Sequence, residues 1–230
     1  MKINFKRVLS LGLIIGIILL ILQIVFKIDS SKLMSYYWKI GVAIILLLAI
    51  INTIYFVAFS VILKKKLQLF YEGRYEQYNR EMEKILQRAK GENLKNIIRI
   101  NLSAGYIGNN EYESAKEVLD KVELSRLRDE RLRLVYSINR CVCDFKLENY
   151  EKFKEDYMAN QELFKKYETE QGYAESIAQL EITKYIVEKD FSNARELLYK
   201  TRDKYKDSKI KEDYSELEKI INENISEKYE

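Results

Sequence analysis

The sequence predicts an all-α protein: a two-helix transmembrane hairpin, then a solenoid of helical repeats closed by a C-terminal capping helix. Three observations predict it. The 230 residues contain no Pro, the residue that breaks helix interiors. Two long uncharged apolar runs, Val8–Phe26 and Ile40–Leu63, lie within the first 63 residues. A turn-and-start pattern then recurs four times at intervals of 37, 38 and 41 residues, and a near-fixed period of this size marks stacked helix pairs. The domains read as a membrane hairpin over residues 1–66, with spans at about 8–26 and 40–63, and a helical-repeat domain over residues 67–230.

Ile40–Leu63 is the centre of the first domain. Twenty-four residues pass without a charge before Lys64-Lys65-Lys66 ends the run. As a helix it measures roughly 36 Å, enough to cross a bilayer core with some tilt. No Gly or Pro interrupts the chain from Leu63 to Gly73, so this helix is expected to continue into the first helix of the second domain. Val8–Phe26 follows a basic start, as a signal peptide would. Its length and the lack of a small-x-small site at Lys27-Ile28-Asp29-Ser30 favour an uncleaved span instead. Residues 27–39 read as a short polar connection whose Tyr36-Tyr37-Trp38 suits a membrane–water boundary.

The outer flanks hold Lys2, Lys6, Arg7, Lys64, Lys65 and Lys66, and the connection holds Lys27, Lys32 and Lys39. Six against three orients both termini to the cytoplasm. Gly12-x-x-x-Gly16 has the spacing of a close helix-packing face. It seats either the other helix of the hairpin or a second copy of the chain. Asn52, near the middle of the second span, is expected to hydrogen-bond to a neighbouring helix, with an ion or proton pathway as the alternative.

Charge and composition exclude several functions. Residues 1–63 carry six basic residues and one acidic, and residues 64–230 carry 33 and 34. A near-neutral second domain does not suit nucleic acid, which requires a clustered basic face. The chain has no His, so it lacks the commonest general base and metal ligand. Cys141 and Cys143 make no disulfide framework, and on a helix their thiols point about 200° apart. The eight glycines are scattered and form no phosphate loop. The acidic residues read as solvated faces. Neither cofactor, metal, small-molecule substrate nor enzymatic activity is expected. Richness in Lys, Ile, Asn, Glu and Tyr suggests an AT-rich bacterial genome.

The recurring signals are Gly73-Arg74-Tyr75, Asn110-Glu111-Tyr112, Glu148-Asn149-Tyr150 and Lys189-Asp190-Phe191. Three residues after each aromatic stands Tyr78, Ala115, Phe153 or Ala194, and four further on Met82, Leu119, Tyr157 or Leu198. This is one helix face repeated four times. Ile210, Tyr214, Leu217, Ile221 and Ile225 follow at helical spacing, as expected of a final helix covering the last apolar face.

The second unit closely resembles the tetratricopeptide repeat. Its segments Asn101-Leu102-Ser103-Ala104-Gly105-Tyr106 and Asn110-Glu111-Tyr112-Glu113-Ser114-Ala115, with Leu119, carry the resemblance. Leu102, Tyr106, Tyr112 and Leu119 stand as the large residues of two nested antiparallel helices, and Ser103 and Ala115 as the small ones. Cys141 is equivalent to Ser103, which gives it a packing role. The other units are degenerate: Tyr78 and Phe153 occupy small-residue positions, and the period exceeds the family's 34. The resemblance covers residues 67–207.

The resemblance implies a concave groove lined by the first helix of each pair. Carried over residue by residue, its lining is Ile97, Ile100, Ala104 and Ile107 in the second unit, and Val135, Ile138, Val142 and Phe145 in the third. The charged clamp of some relatives is missing, because Ile100 and Ala104 stand where it needs Lys and Asn. Either an amphipathic helix of a partner or the chain's own C-terminal part fills such a groove. The expectation is a membrane-anchored adaptor displaying the repeats on the cytoplasmic face of a bacterial plasma membrane. Its partners are the bilayer and unidentified proteins, with a homo-oligomer through the hairpin as a further reading. The alternative is an accessory subunit of a transport or secretion complex that uses the hairpin as its contact.

Overall fold

The computed structural model describes residues 5–26, 30–206 and 211–226, and all of their regular secondary structure is helical. The chain divides into two compact units, Met1–Gln68 and Leu69–Glu230.

The first unit holds α1, Phe5–Phe26, and all but the last turn of α2, Ser30–Tyr71. The apolar stretch of α2, Trp38–Tyr71, is long and apolar enough to cross a membrane, and none of its most apolar window is buried. The described part of α1 gives a shorter apolar stretch, Gly12–Val25. The connection expected over residues 27–39 is revised by this result. Residues 27–29 lie outside the described residues, and from Ser30 onward the chain is already helical. Between Ser30 and Trp38 there is neither Gly nor Pro, so nothing local stops the helix from starting ten residues before its apolar run. The same helix passes the three lysines and ends at Tyr71.

The second unit contains α3 (Tyr75–Arg88), α4 (Glu92–Gly108), α5 (Tyr112–Asp120), α6 (Glu130–Lys146), α7 (Tyr150–Ala159), α8 (Gln161–Tyr167), α9 (Ala174–Val187), α10 (Phe191–Lys204) and α11 (Lys211–Ser226). A 3-10 turn, Leu124–Arg126, lies between α5 and α6. Helices α3 and α4, α4 and α5, α6 and α7, and α9 and α10 pack on one another, and α4, α6 and α9 pack side by side.

The four aromatics that mark the repeat, Tyr75, Tyr112, Tyr150 and Phe191, are the first residues of α3, α5, α7 and α10. Two residues before each, the backbone is left-handed: φ is 73° at Gly73, 60° at Asn110, 58° at Glu148 and 61° at Lys189. Each turn makes the same two hydrogen bonds. The Asn110 N–H donates to the Ile107 carbonyl at 3.0 Å and the Glu111 N–H to the Tyr106 carbonyl at 2.8 Å, with equivalents at Gly73–Arg74, Glu148–Asn149 and Lys189–Asp190. This is the Schellman ending, which satisfies carbonyls that the helix leaves open and reverses the chain.

The repeated face is the core. Tyr78, Met82, Ala115, Leu119, Phe153, Tyr157, Ala194 and Leu198 are all buried. Ser103 and Cys141, the paired small positions, are fully buried as well. The bulk of Tyr78 is accommodated from across the interface. A Cβ on Gly105 would overlap Asn79 Oδ1 and come 2.5 Å from Tyr78 Cδ1. The glycine of α4 therefore makes the room that the small residue of α3 would have made. The Tyr78 hydroxyl donates to the Asn101 carbonyl at 3.2 Å. Inserted α8 takes up the extra length between Tyr150 and Phe191, and Phe164 and Tyr167 bury it in the main core.

Helix α11 packs on α10 and α9. Tyr214, Leu217 and Ile221 are buried in the main core, and Ile225 packs against it. Ile210 lies outside the described residues. Arg202 to Glu218 at 2.8 Å and the Tyr214 hydroxyl to Glu175 at 2.7 Å fix the helix from the polar side.

Two outcomes are expected in chemical melts of the full chain in micelles. Glu148→Gly and Lys189→Gly should each stabilise the second unit by about 1 kcal/mol, because a side chain at positive φ is strained. Gly105→Ala should cost about 2 kcal/mol, because neither Tyr78 nor Asn79 has room to retreat.

Candidate functional site

A concave cleft of about 370 Å³ lies where α4, α6 and α9 run beside one another. Ala104 and Ile107 of α4 and Ile138, Val142 and Phe145 of α6 give it an apolar wall. Ile138, Val142 and Phe145 are spaced i, i+4, i+7, one face of a helix. Ala104, Ile107 and Val142 are half-buried, and Ile138 and Phe145 form the floor at 8% exposure each. Phe70, Tyr75 and Leu217 of α11 also line the cleft. The terminal helix therefore borders the cleft and leaves it open.

The opposite wall is polar and was missed by the sequence reading. Ser176, Gln179 and Thr183 of α9 line it, with Leu180 as its one apolar side chain. The 41-residue spacing carries Val135, Ile138 and Val142 onto Ser176, Gln179 and Thr183. Extending the lining positions by one more unit would have found them. The Gln179 amide nitrogen is buried without a hydrogen-bond partner. On the floor, the Asn139 amide donates to Ser103 Oγ at 3.0 Å and to the Ile100 carbonyl at 3.3 Å, joining α6 to α4. Lys146 stands at the mouth, paired with Glu216 and 5.6 Å over the Tyr112 ring.

Three of the expected lining residues lie elsewhere. Ile100, 1% exposed, forms a separate core cluster with Val122 and Leu127, and Val135 packs against it. Ile97 is half-buried and does not line the cleft. For Ile100 and Val135 the cause is the segment after α5: Val122 and Leu127, on either side of its 3-10 turn, pack over them. Asn96 holds that segment, donating to the Glu123 carbonyl at 3.1 Å and accepting from its N–H at 3.3 Å.

A second cleft, of about 960 Å³, lies on the opposite face of α6, with Tyr136, Ser137 and Arg140 on its floor and α7 and α8 along one side. Most of its charges are paired internally. Arg140 contacts Asp120 and reaches Asp156 at 3.4 Å and the buried Asp144 at 3.5 Å; Lys116 also contacts Asp144. Burial pushes the Asp144 carboxyl above the usual range, against the pull of Lys116 and Arg140. This network ties α5, α6 and α7 together.

The two cysteines belong to different core clusters, Cys141 with Ile138 and Phe153, and Cys143 with Ala115 and Leu119. Burial raises both thiols, that of Cys143 to about 12, which keeps them protonated and weakly nucleophilic. Among the described residues no group of three or more His, Cys, Asp or Glu could hold a metal ion.

In the first unit, a Cβ placed on Gly12 or Gly16 would meet nothing within 4 Å. Asn52 is exposed on α2. Searches of family models, curated proteins and solved structures found no match to this chain.

Arg140→Ala is expected to destabilise the second unit by about 2 kcal/mol at pH 7, because it takes away one of the two cations that balance the buried Asp144 charge and leaves Lys116 to do so alone. The loss should shrink near pH 4. A raised carboxyl pKa means that the fold binds the proton better than the unfolded chain does, so the penalty on the charge falls as pH drops. Urea melts of the variant at the two pH values measure both effects.

Proposed function

We propose that the chain is a membrane-anchored protein-interaction scaffold. α2, and with it α1 as a hairpin, holds it in the bilayer, and the second unit is a tetratricopeptide-like array facing the cytoplasm. The cleft along α4, α6 and α9 is the observation that carries this reading. One wall is apolar and the other polar, which suits an amphipathic helix laid lengthwise. The phased Schellman turns and the repeated buried face support the array. The six-to-three Lys/Arg bias supports cytoplasmic termini, and composition supports a bacterial plasma membrane.

The accessory-subunit reading has its own support. The apolar side chains of α2 are exposed along most of their length, as are several of α1, so the contact with a membrane complex could run through them.

Val142→Glu and Ile138→Glu test the scaffold by capture of co-purifying proteins from detergent extracts, read beside thermal melts. Val142 is half-buried on the wall, so its charge should reduce capture by about tenfold with little change in melting. Ile138 is floor and core together, so its charge should lower the melt as well. Capture unchanged by Val142→Glu would move the binding surface to the apolar helices.

A further inference from the structure

Asn52 is the one amide in the uncharged run Ile40–Leu63. It is exposed, and no hydrogen bond joins it to any described residue. Its polar neighbours behave differently. Thr53 and Ser60 donate their hydroxyls to the Ala49 and Phe56 carbonyls one turn back, both at 2.9 Å. They satisfy themselves within the helix, and Asn52 does not. In hydrocarbon an unsatisfied amide is costly, and since its own helix supplies Asn52 none, a neighbouring helix is the source of its partner.

The other apolar run offers none at its middle. Between Val8 and Phe26 the polar side chains are Ser10 and Gln23, each near an end of the run. An amide, by contrast, is both donor and acceptor, so it complements itself. Two copies inserted in the same orientation carry Asn52 at the same depth by symmetry. On the helix surface Ile45, Ala49, Asn52 and Phe56 are spaced +4, +3, +4, the seam of a two-helix contact. All four are exposed, and Ala49 is small enough to let two backbones approach.

We infer that two copies of this chain pair through α2, with the Asn52 amides hydrogen-bonded to each other across the seam. The pairing rests on the membrane reading of α2. It adds to that reading a partner, a surface and a register: a single polar residue in an apolar seam fixes how two helices align.

Disulfide cross-linking of the full chain in lipid vesicles tests it. The native thiols are buried and leave the background low. Ala49→Cys, on the seam, should give covalent dimer on oxidation, and Ile54→Cys, on the opposite face, should not. Adding Asn52→Leu to Ala49→Cys should weaken the pairing by about tenfold, and Asn52→Gln should restore it. Equal cross-linking from both faces, or cross-linking indifferent to Asn52→Leu, overturns the pairing. An alkaline wash of the same vesicles separates the two premises. Chain retained but not cross-linked defeats the pairing alone, and chain washed off defeats the membrane reading and the pairing with it.

Discussion

The second unit depends on four chain reversals made in the same way. At each, a helix ends in a Schellman pair of hydrogen bonds with one residue held left-handed, and an aromatic opens the next helix two residues later. The reversal places the third and seventh residues after that aromatic on the buried side. Everything else in the unit follows from that phase. The first helices of successive pairs come side by side, their outward faces form the cleft, and their inward faces share the core.

Where the repeat is irregular, the chain compensates locally. Tyr78 is too large for its place, and Gly105 opposite gives up its side chain to receive it. The extra residues before α9 fold into a helix with its own buried aromatics. Three buried polar groups tie parts of the unit together: Asn139 reaches back to α4, Asn96 pins the segment after α5, and Asp144 is held by Lys116 and Arg140. Each is a group whose burial is expensive without its partner, so each also specifies which helices stand together.

Helix faces and helix starts were legible in the sequence because period and turn are local properties. The burial of Tyr78, Ala115, Phe153 and Ala194 was readable from spacing, and that of Cys141 from its equivalence to Ser103 in the repeat that the second unit resembles. The cleft was legible in part. Ala104, Ile138, Val142 and Phe145 line it as the repeat register implies, while Ile100 and Val135 belong to the core, because a non-repeating segment covers them. No period reveals where a loop folds back. The polar wall of α9 was hidden for a different reason: Ser176, Gln179 and Thr183 look like ordinary solvent-facing residues until the fourth unit is laid on the third. The early start of α2 was missed because polarity was taken as the end of the helix, and polarity ends only its apolar stretch.

Three of the four left-handed positions carry side chains, Asn110, Glu148 and Lys189. Glycine would have encoded the bend in the backbone itself. Here the local chain is frustrated: left alone, the residues around Glu148 and Lys189 would sooner continue as helix than turn. Neighbouring pairs impose the bend by burying what lies on either side of it. The array is therefore the cooperative unit, and a single pair cut from it would have little reason to keep its hairpin.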